Sequence, residues 1–468
     1  MDKRRLFFSR DSEGSLPVRI RWRTTSGVIK FPKPRLLRRG SQRYKYESKK
    51  CLVMRVRAYR FRAYSSKTTA RVLKTQLEAA CKLYNALLHA EKEEYEKNKH
   101  TMSKNESRQL ALDLRKKNPE FQVLHSQVTQ QVAERFYQAR ERFFEGLVNK
   151  PKKKKPHKYL SLVYPQSGWK LCDVREVGQG KNKKRKARLY LSKIGFFTLI
   201  LHREFPENQV SQVCVKLNPS GRIHVIFLVE EPEAEEERSS EGEPRRAVGV
   251  DLGITRLATL SDGRYLENPK PLERSLDRIR VLQRTLSRKR FLSKNWLKTK
   301  TRLAKQHERV KYFRRDLFFK LGFLLAQEYD LLVLEDLNVE GLIRNGTKKR
   351  RLRLHDSSFS ELRAVLEWQF LKRGKTVLAL PAYNSSRECF LCGRINQGLT
   401  LEDRMFHCPF CGFTLDRDLN ASLVLLKRSG WVPPAAPVEL RPLPPLPSLG
   451  LRRHGGVVMQ EAPAFRRG

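Results

Sequence analysis

Three features are missing from the sequence, and each absence excludes a class of protein. No apolar run is long enough to span a bilayer, and neither end carries an amphipathic anchor, which argues against a membrane partner. The first fifty residues are basic but lack the apolar segment that a secretory signal requires, so we expect a cytoplasmic protein. The eight cysteines are spaced too unevenly for a disulfide framework.

Acidic residues are also scarce relative to basic ones. The sequence has 49 Asp and Glu against 97 Lys and Arg, which gives a formal net charge of +48. This charge exceeds what solubility requires and favours a polyanionic partner. Because no membrane-binding element is evident, the composition predicts that the partner is nucleic acid. With nucleic acid as the partner, we expect no small-molecule substrate.

The chain of 468 residues is too long for one compact core, and its composition changes several times along its length. Apolar residues at helical spacing, short apolar runs between turn residues, and alternation of the two predict helical, β and α/β regions. The predicted segments are a basic, disordered extension (1–50), a strand with one basic face (51–66), a helical domain (67–150), a mostly β domain (151–229), an acidic linker (230–245), an α/β domain (246–381), a cysteine-rich segment (382–414), a final helix (415–430) and a disordered tail (431–468).

Acidic side chains occur in two apolar runs that predict buried strands. Asp251 lies within VGVDLGI, where a carboxylate must be paired, hydrogen-bonded or metal-bound to offset its desolvation. Glu335 ends the run that begins at Leu331, and its neighbour Asp336 points to the opposite face because side chains alternate along a strand. Only one of these two can share a face with Asp251, and spacing alone leaves the choice open.

A third acidic position lies in the segment DRDLNAS. Asp416 is well placed to cap the last helix, and Asp418 falls in its first turn, where a negative charge meets the positive helix end. One of these two residues can cap the helix while the other takes part in catalysis, and the sequence does not say which. Three carboxylates from two strands and a helix start can hold two Mg²⁺ ions about 4 Å apart, which suits hydrolysis of a phosphodiester without a covalent intermediate.

Four of the cysteines form two closely spaced pairs. Cys389 and Cys392 make one Cys-x-x-Cys, Cys408 and Cys411 make the other after fifteen intervening residues, and a glycine follows each pair. This spacing predicts a structural Zn²⁺ site with four thiolates and no open position for catalysis. Since four cysteines fill the coordination shell, the nearby His407 is expected to be a surface or packing residue.

A basic helical segment between Ser287 and Arg315 contains four aromatic residues. They are interleaved with Lys and Arg at helical spacing, which favours packing in the core over base stacking: Phe291, Trp296, Tyr312 and Phe313. The charges of the segment provide a surface that can follow a phosphate backbone.

The motifs GVDLG, LEDLN, the paired Cys-x-x-Cys segment and DRDLNAS, in this order, resemble TnpB, a family of transposon-encoded nucleases related to type V CRISPR effectors. The likeness extends from about Met54 to Gly430. It implies a multidomain α+β fold, in which a RuvC-like nuclease domain with an RNase H fold carries an inserted zinc ribbon. A mostly β, OB-like wedge domain, interrupted by a helical recognition domain, would precede the nuclease domain.

The resemblance assigns a role to each motif. It makes Asp251, Glu335 and Asp418 the catalytic Mg²⁺ ligands, leaves Asp416 as a structural neighbour, and makes the four cysteines the ligands of a structural zinc. The strand at 51–66 and the β segment at 151–229 become the wedge domain, with the helices at 67–150 as the recognition domain between them.

The resemblance also implies the partners. A structured guide RNA would pair with one strand of double-stranded target DNA, while the protein reads a short motif beside the target. Thr129 and Gln130, on a helix of the recognition block, are candidates for contacts with that motif, with a solvated helix face as the alternative. We expect such a protein to act on the nucleoid of a prokaryote. Family members tend to begin near the first strand, so residues 1–53 are an extension of undetermined role and Met54 is an alternative start.

Three other functions share parts of this pattern. A compact type V CRISPR effector has the same chemistry and differs in the origin of its guide. An RNA-guided regulator binds DNA without cutting it, which the presence of all three acids disfavours. An unguided DNA strand transferase uses a similar acidic triad, but a ribbon nested before the last acid fits the guided nucleases better.

Overall fold

The structure is a computed structural model that describes residues 22–24, 27–29, 55–178, 184–231, 244–400, 402–431, 433, 437 and 439–444. Most of the predicted basic extension, most of the acidic linker and most of the predicted disordered tail lie outside the described residues. Within the extension, strands β1 (Trp22–Thr24) and β2 (Gly27–Ile29) pair as a short antiparallel hairpin. None of the helices in these ranges is both long and apolar enough to cross a membrane.

A seven-stranded antiparallel sheet includes the strand that precedes the first helices. Its strands are β3 (Arg55–Tyr64), β4 (Ser161–Tyr164), β5 (Trp169–Val177), β6 (Lys184–Leu191), β7 (Gly195–Leu201), β8 (Val210–Leu217) and β9 (Ile223–Glu231). The order is β4-β8-β9-β3-β7-β6-β5, so β3 lies inside the sheet between β9 and β7. Alternation buries Phe61 and sends Arg60 and Arg62 to the other face.

Four helices are inserted between β3 and β4. They are α1 (Lys67–Asn98), α2 (Lys104–Lys117), α3 (Pro119–Gln122) and α4 (Ser126–Phe144). Ser66 caps α1 and Ser103 forms a capping box with Glu106 at the start of α2, which satisfies backbone donors that the first turn leaves free. Tyr84 of α1 packs edge-on against Phe136 of α4, with ring centroids 5.8 Å apart, in a core shared with the sheet.

A mixed sheet forms the centre of the second half. Its first five strands along the chain are β10 (Ala247–Asp251), β11 (Arg256–Leu260), β12 (Arg264–Glu267), β13 (Leu331–Asp336) and β14 (Thr376–Pro381). β10 pairs in parallel with β13, and β13 with β14, whereas β11 pairs antiparallel with both β10 and β12.

Helices cover both faces of this sheet. They are α5 (Pro271–Ser287), α6 (Lys294–Glu328), α7 (Val339–Arg344), α8 (Lys348–Ser357), α9 (Phe359–Leu371) and α10 (Arg417–Arg428). Val248 and Leu332 face a core that includes residues of α6 and α9, and Leu331 and Val333 pack with Leu425 of α10 on the other side. A hairpin of β15 (Met405–His407) and β16 (Thr414–Asp416) leads directly into α10.

The prediction that residues 431–468 are disordered is wrong for residues 439–444. Strand β17 (Arg441–Pro442) pairs in parallel with β12, and the backbone N–H of Leu443 donates to the Tyr265 carbonyl at 2.8 Å. The Leu443 side chain is buried against the core of the mixed sheet. Composition could not reveal this strand, because a proline-rich stretch has no periodicity and its pairing partner lies far away in sequence.

Candidate carboxylate centre and cysteine cluster

Two of the predicted acids end neighbouring parallel strands. Val250 of β10 lies opposite Leu334 of β13, so Asp251 and Glu335 follow at the same edge of the sheet. Val250 and Leu334 face the core on the α6 and α9 side, and alternation therefore turns Asp251 and Glu335 towards the face that α10 covers. The register places both carboxylates where a third group from α10 can reach them.

Helix α10 lies unusually close to β10 because β10 has a glycine at its centre. A Cβ added to Gly249 would overlap the carbonyl oxygen of Ser422 and would lie 3.2 Å from the Cβ of Leu426. The N-cap of the helix is Asp416, whose carboxylate accepts a hydrogen bond from the backbone N–H of Asp418 at 3.0 Å. Asp416 therefore caps the helix, whereas Asp418 lies in the first turn and has no capping role.

Asp251 is the most perturbed carboxylate of this centre. Burial and the negative charges of Glu335 and Asp418 raise the pKa of Asp251 well above its usual value, against the opposing charge of Arg417. Among the residues the structure describes, none donates a hydrogen bond or pairs as an ion with the Asp251 side chain. A carboxylate in this position either takes up a proton or is stabilised by a cation.

Glu335 is the member of the Glu335/Asp336 pair that faces Asp251. Its side chain is buried, and Ser385 Oγ donates a hydrogen bond to Glu335 Oε1. Burial raises the pKa of Glu335, although the Ser385 hydrogen bond and the charge of Arg428 lower it. Asp336 is exposed on the other side of the strand, where it pairs with Arg363.

Asp418 already has a cationic neighbour. Arg256 Nη1 lies 2.8 Å from Asp416 Oδ2 and 3.4 Å from Asp418 Oδ2. Burial and Asp416 raise the pKa of Asp418, whereas the charges of Arg256, Arg417 and Arg404 lower it. Asp418 is thus held at the edge of the centre by arginines, while Asp251 lies among carboxylates.

The four cysteines converge more closely than the acids do. Their sulfur atoms all lie within 4.8 Å of one another, and within the described ranges they form the only group of three or more Cys, His, Asp or Glu side chains whose ligand atoms are this close together. Cys389 Sγ lies 3.7 Å from Cys411 Sγ, and Cys392 Sγ lies 3.5 Å from Cys408 Sγ. Four sulfurs at about 2.3 Å from one zinc would be roughly 3.8 Å apart, so the cluster fits a tetrahedral ion.

The two Cys-x-x-Cys turns have the same backbone form. Gly393 and Gly412 both have a positive φ, 73° and 72°, and each donates its N–H to the carbonyl of the first cysteine in its pair. Glycine adopts this left-handed conformation without strain, which explains why one follows each pair. Burial raises the pKa of Cys408, but hydrogen bonds from the backbone N–H groups of Phe410 and Cys411, together with those from the Cys411 and Cys392 side chains, lower that pKa to about 6.

Hydrogen bonds and an ion pair connect helix α10 to the first Cys-x-x-Cys turn. Asn420 is fully buried, and its side chain accepts a hydrogen bond from the Phe390 N–H at 3.0 Å and donates one to the Glu388 carbonyl at 2.7 Å. Lys427 Nζ donates to the Phe390 carbonyl at 2.7 Å, and Arg428 pairs with Glu388. The cysteine cluster and the helix that carries Asp418 are therefore one structural unit.

The structure excludes Thr129 as a nucleic-acid contact in this conformation. Its side chain is completely buried in α4, and its hydroxyl donates to the His125 carbonyl one turn earlier at 3.2 Å. The alternative prediction, that Thr129 lies on a solvated face of the helix, is wrong for the same reason. Gln130, the next residue, is partly exposed and stays a prediction.

Sequence reasoning missed Arg256, Ser385 and Asn420 as residues of this region. Arg256 and Ser385 lie in segments without a metal-ligand pattern, and only the three-dimensional arrangement brings them to the acids. Asn420 lies inside DRDLNAS, where an amide just before the apolar run from Leu423 to Leu426 was a usable signal for a buried hydrogen-bonding role.

Two family profiles match the chain. The first is OrfB_IS605, described as a probable transposase, over residues 223–346, which include Asp251 and Glu335. The second is the Cas12f1-like TNB domain over residues 359–425, which include the four cysteines and Asp418. Together the two profiles cover the candidate centre, and of the seven-stranded sheet before it they include only β9.

Three curated relatives are similar to parts of the chain. The chain is 34% identical over 226 residues to "Putative RNA-guided DNA endonuclease" of Streptomyces pristinaespiralis, across 48% of this chain and 54% of that protein. It is 28% identical over 319 residues to "Putative RNA-guided DNA endonuclease InsQ" of Escherichia coli, across 64% and 74%. It is 25% identical over 197 residues to "TnpB-like protein L79" of Acanthamoeba polyphaga mimivirus, across 39% and 37%. The match thus spans about half the length of the Streptomyces relative.

A solved structure shows a similar fold. It is the cryo-EM structure of a Cas12f1–sgRNA–target DNA complex, which superposes with a TM-score of 0.52 at 16% identity and covers 77% of this chain and 83% of that one. The chain therefore has the mixed α/β, multidomain architecture of a Cas12f1 protein. With the two profiles and the curated relatives, this confirms the resemblance to TnpB that the motifs predicted.

Proposed function

We propose that the chain is an RNA-guided, divalent-metal-dependent DNA endonuclease that binds a structured guide RNA and cleaves matching double-stranded DNA beside a short recognition motif. The observation that carries the proposal is the meeting of Asp251 and Glu335, at the ends of parallel strands, with Asp418 on α10. Two of the curated relatives carry the name RNA-guided DNA endonuclease, and this supports the same class of activity here.

The fold supports a RuvC-like nuclease domain with an RNase H fold. Its support is a mixed sheet with helices on both faces, acids at the strand ends, and the cysteine segment inserted between β14 and α10, just before the last acid. The seven-stranded sheet, interrupted after β3 by helices α1 to α4, supports the assignment of a split OB-like wedge domain and a recognition domain.

The carboxylates fit hard divalent cations. Asp251, Glu335 and Asp418 offer only oxygen ligands, as Mg²⁺ prefers. The pKa of Asp251 is raised by burial and by the neighbouring carboxylates, both of which a bound cation would offset. Two Mg²⁺ ions held there would activate a water molecule and stabilise the leaving oxygen of the phosphodiester. Ser385 would orient Glu335, and Arg256 would hold the cap of α10 so that Asp418 keeps its place.

The cysteine cluster would hold a structural zinc. All four positions of the tetrahedron are thiolates, so the ion has no open site for a substrate, and its effect is to fix the two turns to each other. Because Asn420 and Lys427 bind the first turn to α10, the zinc would also stabilise the position of Asp418.

The test of this proposal is cleavage by the purified protein together with the RNA that copurifies with it. The RNA is sequenced, and DNA that matches its guide segment is incubated with the complex and Mg²⁺. We expect cleavage by the wild type and a loss of at least about a thousandfold in Asp251→Asn, since the substitution removes a metal-binding charge but keeps the shape of the side chain.

Asp336→Asn is the matched control. It changes an acid of the neighbouring strand β13, next to Glu335, but one that is exposed and paired with Arg363, so cleavage should stay near the wild-type rate. Equal activity of wild type and Asp251→Asn would contradict the proposed centre. RNA-dependent DNA binding without cleavage by the wild type would instead indicate an RNA-guided regulator.

A further inference from the structure

The turn between α5 and α6 exposes a large apolar tip. Phe291 is 70% exposed and Leu292 is 62% exposed, although Phe291 keeps one edge against Trp296, with ring centroids 4.9 Å apart. The expectation that the aromatics of this segment pack in the core is therefore wrong for Phe291 and for Phe313, and holds for the buried Tyr312. A phenylalanine this exposed at the end of a helical hairpin is available to a partner.

The Lys and Arg residues on both sides of the tip in the sequence are not accompanied by any acidic residue. From residue 278 to residue 307 the sequence has eleven Lys and Arg and no Asp or Glu. Among these cations, and within the described part of the chain, only Arg280 lies within salt-bridge distance of a carboxylate, that of Asp277 at 3.3 Å. The hairpin thus presents an apolar ring among positive charges, most of which have no carboxylate within salt-bridge distance in the described part of the chain. This combination is complementary to an anionic partner with a flat apolar face.

The turn is also held in an uncommon conformation. Leu292 has a φ of 63°, in the left-handed region that residues with a large side chain rarely adopt. Ser293 follows at once and caps α6 by accepting a hydrogen bond from the Trp296 N–H at 3.1 Å. The cap fixes where α6 begins, so the tip that precedes it is positioned rather than left loose.

We propose that this tip, residues 288–293, is a docking surface for RNA, in which Phe291 stacks on an unpaired base while the surrounding Lys and Arg bind the flanking phosphates. Nucleobases combine a flat apolar face with a polyanionic backbone, which matches both properties of the tip. RNA is favoured over duplex DNA because bases in a duplex are already stacked on each other, whereas loops and ends of RNA offer free base faces.

The choice of RNA as the partner rests on the proposed function, but the tip is separate from the carboxylate centre. Binding can therefore be measured without divalent metal and without touching any acid. The probe is a single-stranded RNA of about twenty nucleotides that contains 5-bromouridine, with a duplex DNA of the same sequence for comparison. Full-length protein is irradiated with the probe, and the cross-linked peptide is identified by mass spectrometry; affinity is measured by fluorescence anisotropy over a range of salt concentrations.

We expect a cross-link in the peptide that contains Phe291. Phe291→Ala should remove it and weaken RNA binding about tenfold, the size of effect expected for loss of one stacked base. The dependence of binding on salt should not change, since no cation is removed. Phe291→Trp should retain both the cross-link and the affinity, which a defect in folding would not predict.

Phe144→Ala is the matched control, because Phe144 is 61% exposed but lies beside Glu141 and Glu145. It should bind RNA as the wild type does. Three results would overturn the inference: unchanged RNA binding in Phe291→Ala, an equal loss of duplex DNA binding, or a loss of self-association, which would make the tip a contact between two copies of the chain. Each can occur whether or not the protein cuts DNA, so failure here and failure of the proposed nuclease are distinguishable.

Discussion

At the scale of single residues, Asp251 shows how much the apolar sequence around a carboxylate predicts about its partners. A carboxylate within VGVDLGI was expected to have a partner, and the structure instead surrounds it with further carboxylates. The choice between Glu335 and Asp336 could not come from spacing, because it depends on which face of β13 looks towards α10. That face is set by packing of Leu331 and Val333 against α10, a contact between segments about ninety residues apart.

His224 provides a prediction at this scale that does not involve the metal centre. Burial and the charges of Arg60, Arg62, Arg222 and Lys216 lower the pKa of His224 to about 3. An unfolded histidine has a pKa of about 6.5. As the pH falls below about 6.5, the unfolded chain takes up a proton that the folded chain does not, so this residue destabilises the fold progressively towards pH 3.

We therefore expect His224→Gln to make the protein less sensitive to acid. Between about pH 6.5 and about pH 5 the wild type should lose about 2 kcal/mol more unfolding free energy than the variant, at about 1.4 kcal/mol per pH unit. Urea unfolding at several pH values measures this difference, and His89→Gln, at an exposed position, serves as the control. If the unfolding free energies of wild type and His224→Gln fell equally as the pH is lowered, His224 would take up its proton in the folded state as well. This result would contradict the prediction.

At the scale of elements, α10 and β10 determine the geometry of the centre together. The sequence predicted both, and it also predicted that the basic segment between Ser287 and Arg315 is helical. It did not predict α8 from its run of basic residues, because a helix with little apolar surface has little periodicity. Nor could it predict that α10 packs so closely on β10 that no space is left for a Cβ atom at Gly249.

Gly249→Ala tests that approach. The added methyl overlaps the Ser422 carbonyl, so α10 must shift, and we expect a loss of about 1–3 kcal/mol in unfolding free energy together with a large drop in cleavage as Asp418 moves. Gly398→Ala is the control, since its nearest neighbour is the Asn396 side chain at 3.5 Å. If Gly249→Ala matched the control in denaturant unfolding, the close packing of α10 on β10 would be contradicted.

The cysteine segment allows a prediction on metal content. Cys408→Ser removes one of four converging sulfurs, and we expect the purified protein to lose most of its zinc and to unfold at a lower temperature. Elemental analysis and a thermal melt measure the two effects. Cys172→Ser, which changes a cysteine outside the cluster, should retain its zinc. An unchanged zinc content in Cys408→Ser would remove the four-thiolate assignment.

At the scale of the whole molecule, composition alone predicted a nucleic-acid-binding protein, and the motifs alone predicted the family. The net charge of +48 arises from Lys and Arg along much of the chain, and residues 278–307 of the α5–α6 hairpin contribute eleven of them without a single acidic residue. Sequence reasoning placed the aromatics of that hairpin in the core because helical spacing does not distinguish a buried stripe from an exposed tip. Only the three-dimensional position of the turn separates Phe291 from Tyr312.

The central claim is that RNA chooses the DNA that the carboxylate centre cuts. The most direct measurement is to replace the guide segment of the copurifying RNA with an unrelated sequence, reassemble the complex, and incubate it with DNA that matches either the old or the new segment. The account predicts that cleavage moves completely to the new target and that Asp251→Asn cuts neither. Continued cutting of the old target, or cutting of both without regard to the guide, would contradict it.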